Sequence, residues 1–150
     1  MAKVNFKGLE KFSKLLNKLD QTQLNQFGES AIKELAARLL RKVILRTPVG
    51  NYDIKDENGN VIQKSSKKGG TLRREWTIGE VVKTGAGYTI EVINPTEYAS
   101  YVEFGHRTRD HKGWVQGRFM LTISEQEIEQ DAQRILENKL NKFLGGIFNA

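Results

Sequence analysis

The chain has 150 residues, 38% hydrophobic and 28% charged, which is the composition of a soluble globular protein and not of a disordered one. No apolar run reaches the roughly 18 residues of a membrane helix, and the lack of cysteine excludes disulfides, thiolate metal sites and a cysteine nucleophile. The net charge of +6 is concentrated in residues 1–46, whereas acidic residues outnumber basic ones in residues 122–150, a polarity that suits an acidic partner or front-to-back packing of copies.

Two amphipathic helices are predicted at the start of the chain. A short one spans Lys7 to Leu19, where apolar residues recur at helical spacing. A second, of about 24 residues and roughly 36 Å, follows a possible N-cap at Asp20 or Thr22. It should end before Pro48, because a residue ahead of proline is disfavoured in the α conformation. Its apolar stripe consists of Leu24, Phe27, Ala31, Leu35, Leu39 and Val43, widened by Ile32, Ala36 and Leu40.

The segment 48–70, PVGNYDIKDENGNVIQKSSKKGG, is rich in turn-forming residues and predicts an extended loop. Within it, ENGN is typical of a type I′ turn that would join YDI to VIQ in a small hairpin. The alternative is a mobile loop of about 20 residues, and loops of that length in compact domains are usually functional or disordered. The sequence leaves the role of residues 51–70 open.

Two alternating segments follow and predict an antiparallel hairpin that ends at Pro95. TLRREWTIGEVVK and GYTIEVIN are the two strands, and TGAG between them is the turn. The apolar residues that alternate along these strands are Leu72, Trp76 and Ile78 in the first, and Tyr88, Ile90 and Val92 in the second.

A short helix is then predicted in TEYASYVEFG, with Thr96 as N-cap and Gly105 as C-cap. We expect its aromatic and branched residues to anchor it on the core, namely Tyr98, Tyr101, Val102 and Phe104.

A C-terminal helix is predicted after this, beginning at Ser124 or already near Phe119. Ser124 and Glu127 have the spacing of a capping box, and Gly145–Gly146 should end the helix. Its apolar stripe is Ile128, Ala132, Ile135, Leu136, Leu140 and Phe143. The fold class is therefore α+β: a long N-terminal and a C-terminal helix packed on a small, mainly antiparallel sheet, with long loops, in one domain over residues 1–150.

The segment GHRTRDHKGW holds several chemically versatile residues, but it does not form a known catalytic or metal-binding motif. His106, Asp110 and His111 are metal-ligand types, yet their spacing in a glycine-flanked loop is not that of a metal site. Nucleophile and phosphate-loop motifs are absent from the chain. A net charge of +3 between Gly105 and Arg118, with Trp114 available to stack on a base, suits weak and non-specific binding of nucleic acid.

Three motifs occur in order along the chain: TPVG, GGTLRREWTI and YASYVEFGHRTRDHKGWVQGRFML. With one helix before and another after them, they resemble the tail-completion (minor tail, or neck) protein family of long-tailed phages and Gram-positive prophage elements. The resemblance covers about residues 20–140. The stretch between TPVG and GGTLR is longer than in the shortest form of that family.

The resemblance implies a structural virion protein that is not an enzyme and needs no cofactor or membrane. Six copies would form a ring at the head-proximal end of the tail tube, after assembly in the host cytoplasm. Its partners would be its own copies, the tail-tube or sheath protein, and neck or connector proteins. The alternatives are a head-closure or connector adaptor and, from another class, a non-specific nucleic-acid-binding module.

On this interpretation, residues 105–118 are an assembly loop that is mobile in the free subunit and orders against a neighbour or the tube. Arginines in it can contact carboxylates across an interface, and buried aromatics can anchor it. The candidate interface residues are Gly105, His106, Arg107, Thr108, Arg109, Asp110, His111, Lys112, Trp114 and Phe119. The alternative is a solvated loop without a partner.

Overall fold

The computed structural model describes residues 17, 19–85 and 87–148, so almost all of the predicted helix Lys7–Leu19 lies outside the described residues. The helices in this part of the chain are α1 (Gln21–Arg46), α2 (Thr71–Arg74), α3 (Ala99–Phe104) and α4 (Met120–Phe148). The strands are β1 (Ile54–Lys55), β2 (Val61–Gln63), β3 (Thr77–Ile78), β4 (Val82–Thr84), β5 (Gly87–Thr89), β6 (Val92–Ile93), β7 (Gly105–Arg107) and β8 (Trp114–Gln116).

The long helix α1 confirms the predicted periodicity, and Asp20 is its N-cap. The Asp20 carboxylate accepts the backbone N–H of Gln23, whose side chain accepts the N–H of Asp20 in return, which completes a capping box. The helix ends at Arg46, and Thr47 ahead of Pro48 is extended, as the proline rule requires. Its predicted stripe is buried, with Leu24 and Leu40 only partly so.

The C-terminal helix α4 packs along α1, and the two stripes form most of the core. It begins at Met120, so the predicted capping box of Ser124 and Glu127 is wrong. Ser124 lies one turn inside the helix and donates its hydroxyl to the Met120 carbonyl at 2.6 Å. Nor do Gly145–Gly146 end the helix. A helical glycine costs only about 1 kcal/mol relative to alanine, which packing of the preceding apolar turns can offset.

The strands of the described residues pair as four two-stranded antiparallel sheets, where the sequence suggested one. β4 and β5 pair across the predicted TGAG turn, and β3 and β6 continue the same hairpin, with the Gly79 N–H donating to the Glu91 carbonyl at 2.8 Å. The predicted first strand is too long, however, because Thr71–Arg74 form a helical turn. Leu72 and Trp76 are four residues apart and both buried, a spacing that fits a helical turn as well as strand alternation.

The predicted hairpin in the segment 48–70 is confirmed, since β1 pairs with β2. Its turn is not type I′, which needs positive φ at two residues. Gly59 alone has positive φ there, 84°, and its N–H donates to the Asp56 carbonyl at 3.0 Å, the pattern of a type I turn followed by a bulge.

With long helices at both ends and small antiparallel sheets between them, the protein has the expected α+β fold. Within the described part of the chain, the search for a helix long and apolar enough to cross a bilayer found none.

Candidate assembly interface

Helix α3 presents its aromatic residues to solvent, so the expectation that they anchor it on the core is wrong. Tyr98, Tyr101 and Phe104 are 44%, 59% and 62% exposed. The inward side of α3 consists of Ala99 and Val102, which pack on the core. The predicted N-cap is also wrong, because Thr96 lies ahead of the N-cap position, Tyr98.

The inward side of α3 also carries a buried carboxylate, Glu103, which is only 6% exposed. Its two oxygens accept the backbone N–H groups of Leu121 and Thr122, each at 2.9 Å, and the Thr122 hydroxyl at 2.7 Å. These N–H groups belong to the first turn of α4, which lacks partners within its own helix. Glu103 therefore caps α4 from another element, and its negative charge faces the positive end of the helix dipole.

The segment after α3 is a β-hairpin rather than the loop that the sequence predicted. β7 and β8 pair antiparallel, with Arg107 opposite Trp114. Gly105 starts β7 at φ 86°, and a Cβ there would lie 2.5 Å from the Val115 carbonyl oxygen. A Cβ on Gly117 would lie 2.4 Å from the Glu103 carbonyl oxygen. Both positions therefore require glycine, and Gly105 is the C-cap of α3, as expected.

The tip of this hairpin is held by Thr108 and Asp110. The Thr108 hydroxyl donates to the Asp110 carboxylate at 2.5 Å and accepts the Gly113 N–H at 2.9 Å. The same carboxylate accepts the Lys112 N–H at 3.1 Å. These hydrogen bonds, that from Thr108 first, lower the pKa of Asp110 from its ordinary value. Asp110 thus shapes the turn, and with His111 at φ 59° the tip is tightly folded.

The basic residues of the hairpin are exposed. Arg107, Arg109 and Lys112 make no ion pair with any residue that the structure describes, and neither does Arg118. Segment 105–118 therefore carries its net charge of +3 on the surface without local compensation.

Exposed rings of α3 and of the hairpin lie side by side. Tyr101 contacts His106 edge-on, with ring centroids 5.9 Å apart, and Trp114 is opposite Arg107 in the ladder with 59% of its surface exposed. Residues of both elements line a shallow depression of about 510 Å³. We call this surface the aromatic face; it comprises Tyr98, Tyr101, Phe104, His106 and Val115. Trp114, one residue before Val115 in β8, projects from the other side of the two-stranded hairpin.

Phe119, a predicted anchor, lies at the edge of the aromatic face and is half-buried. Its ring meets Phe104 edge-on with centroids 6.4 Å apart. Its backbone has φ 49°, and its N–H donates to the Glu103 carbonyl at 3.0 Å. Phe119 therefore turns the chain into α4 and contributes only part of its ring to the surface.

The other two sequence motifs meet at a separate hydrogen-bonded cluster. The hydroxyl of Thr47, in TPVG, accepts the indole N–H of Trp76 at 2.7 Å and donates to the Val43 carbonyl. Arg73 donates to the Thr47 carbonyl through Nη2 at 2.6 Å. These residues join the end of α1 to α2 and have a structural role. The described residues contain no group of three or more His, Cys, Asp or Glu that could hold a metal.

Comparison with known proteins gives one family. The family model described as "Bacteriophage HK97-gp10, putative tail-component" matches residues 10–105, close to two thirds of the chain. The matched range includes α1, the β3–β6 hairpin and α3, and it ends at the first residue of β7. No curated protein and no solved structure matches the chain significantly.

Proposed function

Because the chain belongs to the HK97-gp10-like family of bacteriophage tail components, we propose that it completes or terminates the phage tail at the head–tail neck by forming a ring on the tail tube. It acts as a structural virion protein over its whole length, residues 1–150. Its partners are further copies of itself in a six-fold ring, the tail-tube or sheath protein, and the neck proteins above the ring.

The observation that carries this proposal is the aromatic face. Large aromatic side chains are ordinarily buried, and contiguous exposed patches of them mark interaction sites. Tyr98, Tyr101 and Phe104 in this face are 44%, 59% and 62% exposed, and Trp114 on the other side of the hairpin is 59% exposed. Tyrosine, tryptophan and arginine carry most of the binding energy at protein interfaces. The arginines beside this face, which make no ion pair with a described residue, are therefore of the type expected at an interface.

The candidate interface residues then divide into two groups. Gly105, Thr108 and Asp110 build the hairpin, since they supply its positive φ and its turn hydrogen bonds. The remaining residues present the contacting groups to the neighbour, and these are His106, Arg107, Arg109, His111, Lys112, Trp114 and Phe119.

A deletion tests the proposal in the phage or prophage that encodes the protein. Particles without it should have unjoined heads and tails, or tails of abnormal length, when viewed by negative-stain electron microscopy. Supplying the wild-type protein from a plasmid should restore joined particles. Intact, infectious particles from the deletion would contradict the proposal. A head-closure adaptor, the alternative, would co-purify with isolated heads instead of isolated tails.

A double substitution tests the hairpin arginines separately from folding. Arg107→Ala with Arg109→Ala should leave the melting temperature of the isolated subunit nearly unchanged, because exposed charges contribute below about 1 kcal/mol. Joined particles should fail to form, since losing an interfacial arginine and stranding its partner costs roughly 2–5 kcal/mol per site.

The matched control replaces two exposed cations of the long helices, Arg41→Ala and Lys142→Ala, which should assemble normally. Two results would contradict the assignment of the arginines: a melted subunit, or normal particle assembly without them.

A further inference from the structure

In the part of the chain that the structure describes, the hairpin β1–β2 is exposed and packs little against other elements. All five of its strand residues are exposed, and Ile54, Val61 and Ile62 are 57%, 46% and 67% exposed. The two strands make their main contacts with each other. A two-stranded hairpin is marginally stable alone in water, and exposed apolar strands invite aggregation unless something covers them. We call residues 53–63 the arm.

Local contacts hold the arm in a preformed shape. The Asp53 carboxylate accepts the Ser65 N–H at 2.8 Å. At the tip, Asp56 accepts the N–H groups of Asn58 and Asn60 at 2.9 and 2.8 Å. At the base, the two chain segments approach so closely that a Cβ on Gly69 would lie 1.8 Å from a backbone oxygen. A preformed arm loses little conformational entropy on binding.

The arm and the hairpin β7–β8 have opposite charge. The arm carries three acidic residues and one basic residue, a net charge of −2, whereas segment 105–118 carries +3. The charged residues are Asp53, Lys55, Asp56 and Glu57 in the arm, and Arg107, Arg109, Asp110, Lys112 and Arg118 in the segment. Both surfaces are also apolar, one aliphatic and one aromatic, so they are complementary in charge and in chemistry.

We propose that the arm of one copy docks on the aromatic face of the next copy. Each subunit then offers two different patches, one to each neighbour, which is the head-to-tail arrangement that closes into a ring. The contact rests on the ring proposed above and specifies which two surfaces form it. In a closed ring every arm and every aromatic face is covered.

Disulfide trapping tests this contact, and the natural chain has no cysteine to interfere. Ile62→Cys and Tyr101→Cys are made as separate proteins, each at an exposed position, and mixed under mild oxidation. We expect the mixed dimer to form about tenfold faster than in the control mixture, because docking raises the local concentration of the two thiols. The control mixture pairs Ile62→Cys with Gln133→Cys, an exposed position on α4.

Two further measurements test whether the contact is electrostatic and whether it forms between different copies. Added salt should slow the Ile62–Tyr101 disulfide and leave the control rate unchanged, because salt screens the attraction between the hairpins. Equal rates in the two mixtures would overturn the proposal. So would a double variant, Ile62→Cys with Tyr101→Cys, that closes into a crosslinked monomer at a rate independent of protein concentration, since the arm would then cover the face of its own chain.

An assembly experiment separates this contact from the ring itself. The triple variant Ile54→Ser, Val61→Ser and Ile62→Ser should keep the core helices intact by circular dichroism and give unjoined particles. Mixing it with the arginine double variant should yield dimers that do not grow, because each pair has only one intact arm and one intact face. If the triple variant gives joined particles while the deletion strain does not, the proposed arm contact is wrong but the proposed ring is not contradicted.

Discussion

Glu103 is an unusual residue for the inward side of a helix, because an ionisable side chain is costly to bury without partners. It accepts three hydrogen bonds from the first turn of α4. Replacing it by alanine should destabilise the subunit by about 2–3 kcal/mol, which combines a lost helix cap with stranded donors. Glu103→Gln, which keeps one acceptor oxygen, should cost about half of that. Urea unfolding measures both.

The control for this prediction is Glu97→Ala, an exposed glutamate just ahead of α3. It should change the free energy of unfolding by less than about 0.5 kcal/mol, as surface substitutions do. A Glu103→Ala variant as stable as this control would mean that the cap contributes nothing.

Tyr101 and Phe104 are the residues whose expected behaviour the structure reverses. As core aromatics, each would cost roughly 3–5 kcal/mol when replaced by alanine. At 59% and 62% exposure, each should instead cost below about 1 kcal/mol, and assembly should fail when both are replaced together. Thermal unfolding checks the first statement and particle counts the second. Leu140→Ala, at a fully buried position of α4, is the positive control for destabilisation.

At the scale of elements, α1 and α4 are joined by an ion-pair cluster. Glu127 accepts hydrogen bonds from Lys42 at 2.8 Å and from Arg46 at 2.7 Å. The hydrogen bond from Lys42, followed by that from Arg46, holds the pKa of Glu127 below its ordinary value of 4.5. Because the folded pKa is depressed, the stabilisation is complete above the ordinary value and is lost as pH falls through the folded pKa.

The stability advantage of wild type over Glu127→Gln should therefore be constant near neutral pH and shrink below the ordinary pKa of 4.5. Urea unfolding of both proteins between pH 7 and pH 2.5 measures it, and the other carboxyl groups cancel in the difference. Glu129→Gln, at an exposed position of the same helix, should show a smaller change. A difference that does not depend on pH would mean that the ion pairs of Glu127 do not stabilise the packing of α1 on α4.

The hairpin β7–β8 should exchange its amide hydrogens faster in the free subunit than in the assembly. Its ladder has three residue pairs, and most of its side chains are exposed, so little burial stabilises it before a partner covers it. Hydrogen–deuterium exchange on free subunits and on assembled particles measures the change, with α1 as the internal reference. Equally strong protection in both states would contradict an ordering of this hairpin on assembly.

At the scale of the whole molecule, the charge of +6 predicts electrostatic and incidental binding to DNA. Affinity should fall steeply between low and physiological salt and show no preference among sequences. Fluorescence anisotropy with several duplexes at several salt concentrations measures this. A tight, sequence-selective complex at physiological salt would instead favour the nucleic-acid-binding alternative.

The sequence alone determined the two long helices, because each carries an apolar stripe over many turns. A pattern repeated that often predicts a helix even where single residues depart from it. Pro48 located the end of α1, because the residue ahead of a proline is restricted. The sequence narrowed the N-cap to Asp20 or Thr22, and the capping box in the structure decided for Asp20. The turn residues likewise located the hairpins β1–β2 and β4–β5. The order of three motifs was enough to indicate the phage-tail family.

Only the tertiary structure decided which side of α3 faces the core. A helix of six residues is too short for its periodicity to distinguish an inward from an outward side. The inward side holds Glu103, whose burial is stabilised by the first turn of α4, 18 and 19 residues further along the chain. Gly105 is constrained in the same way by the Val115 carbonyl of the opposing strand. Because these partners are distant in sequence, no local sequence pattern could predict that the tyrosines are exposed or that the polar segment forms a hairpin.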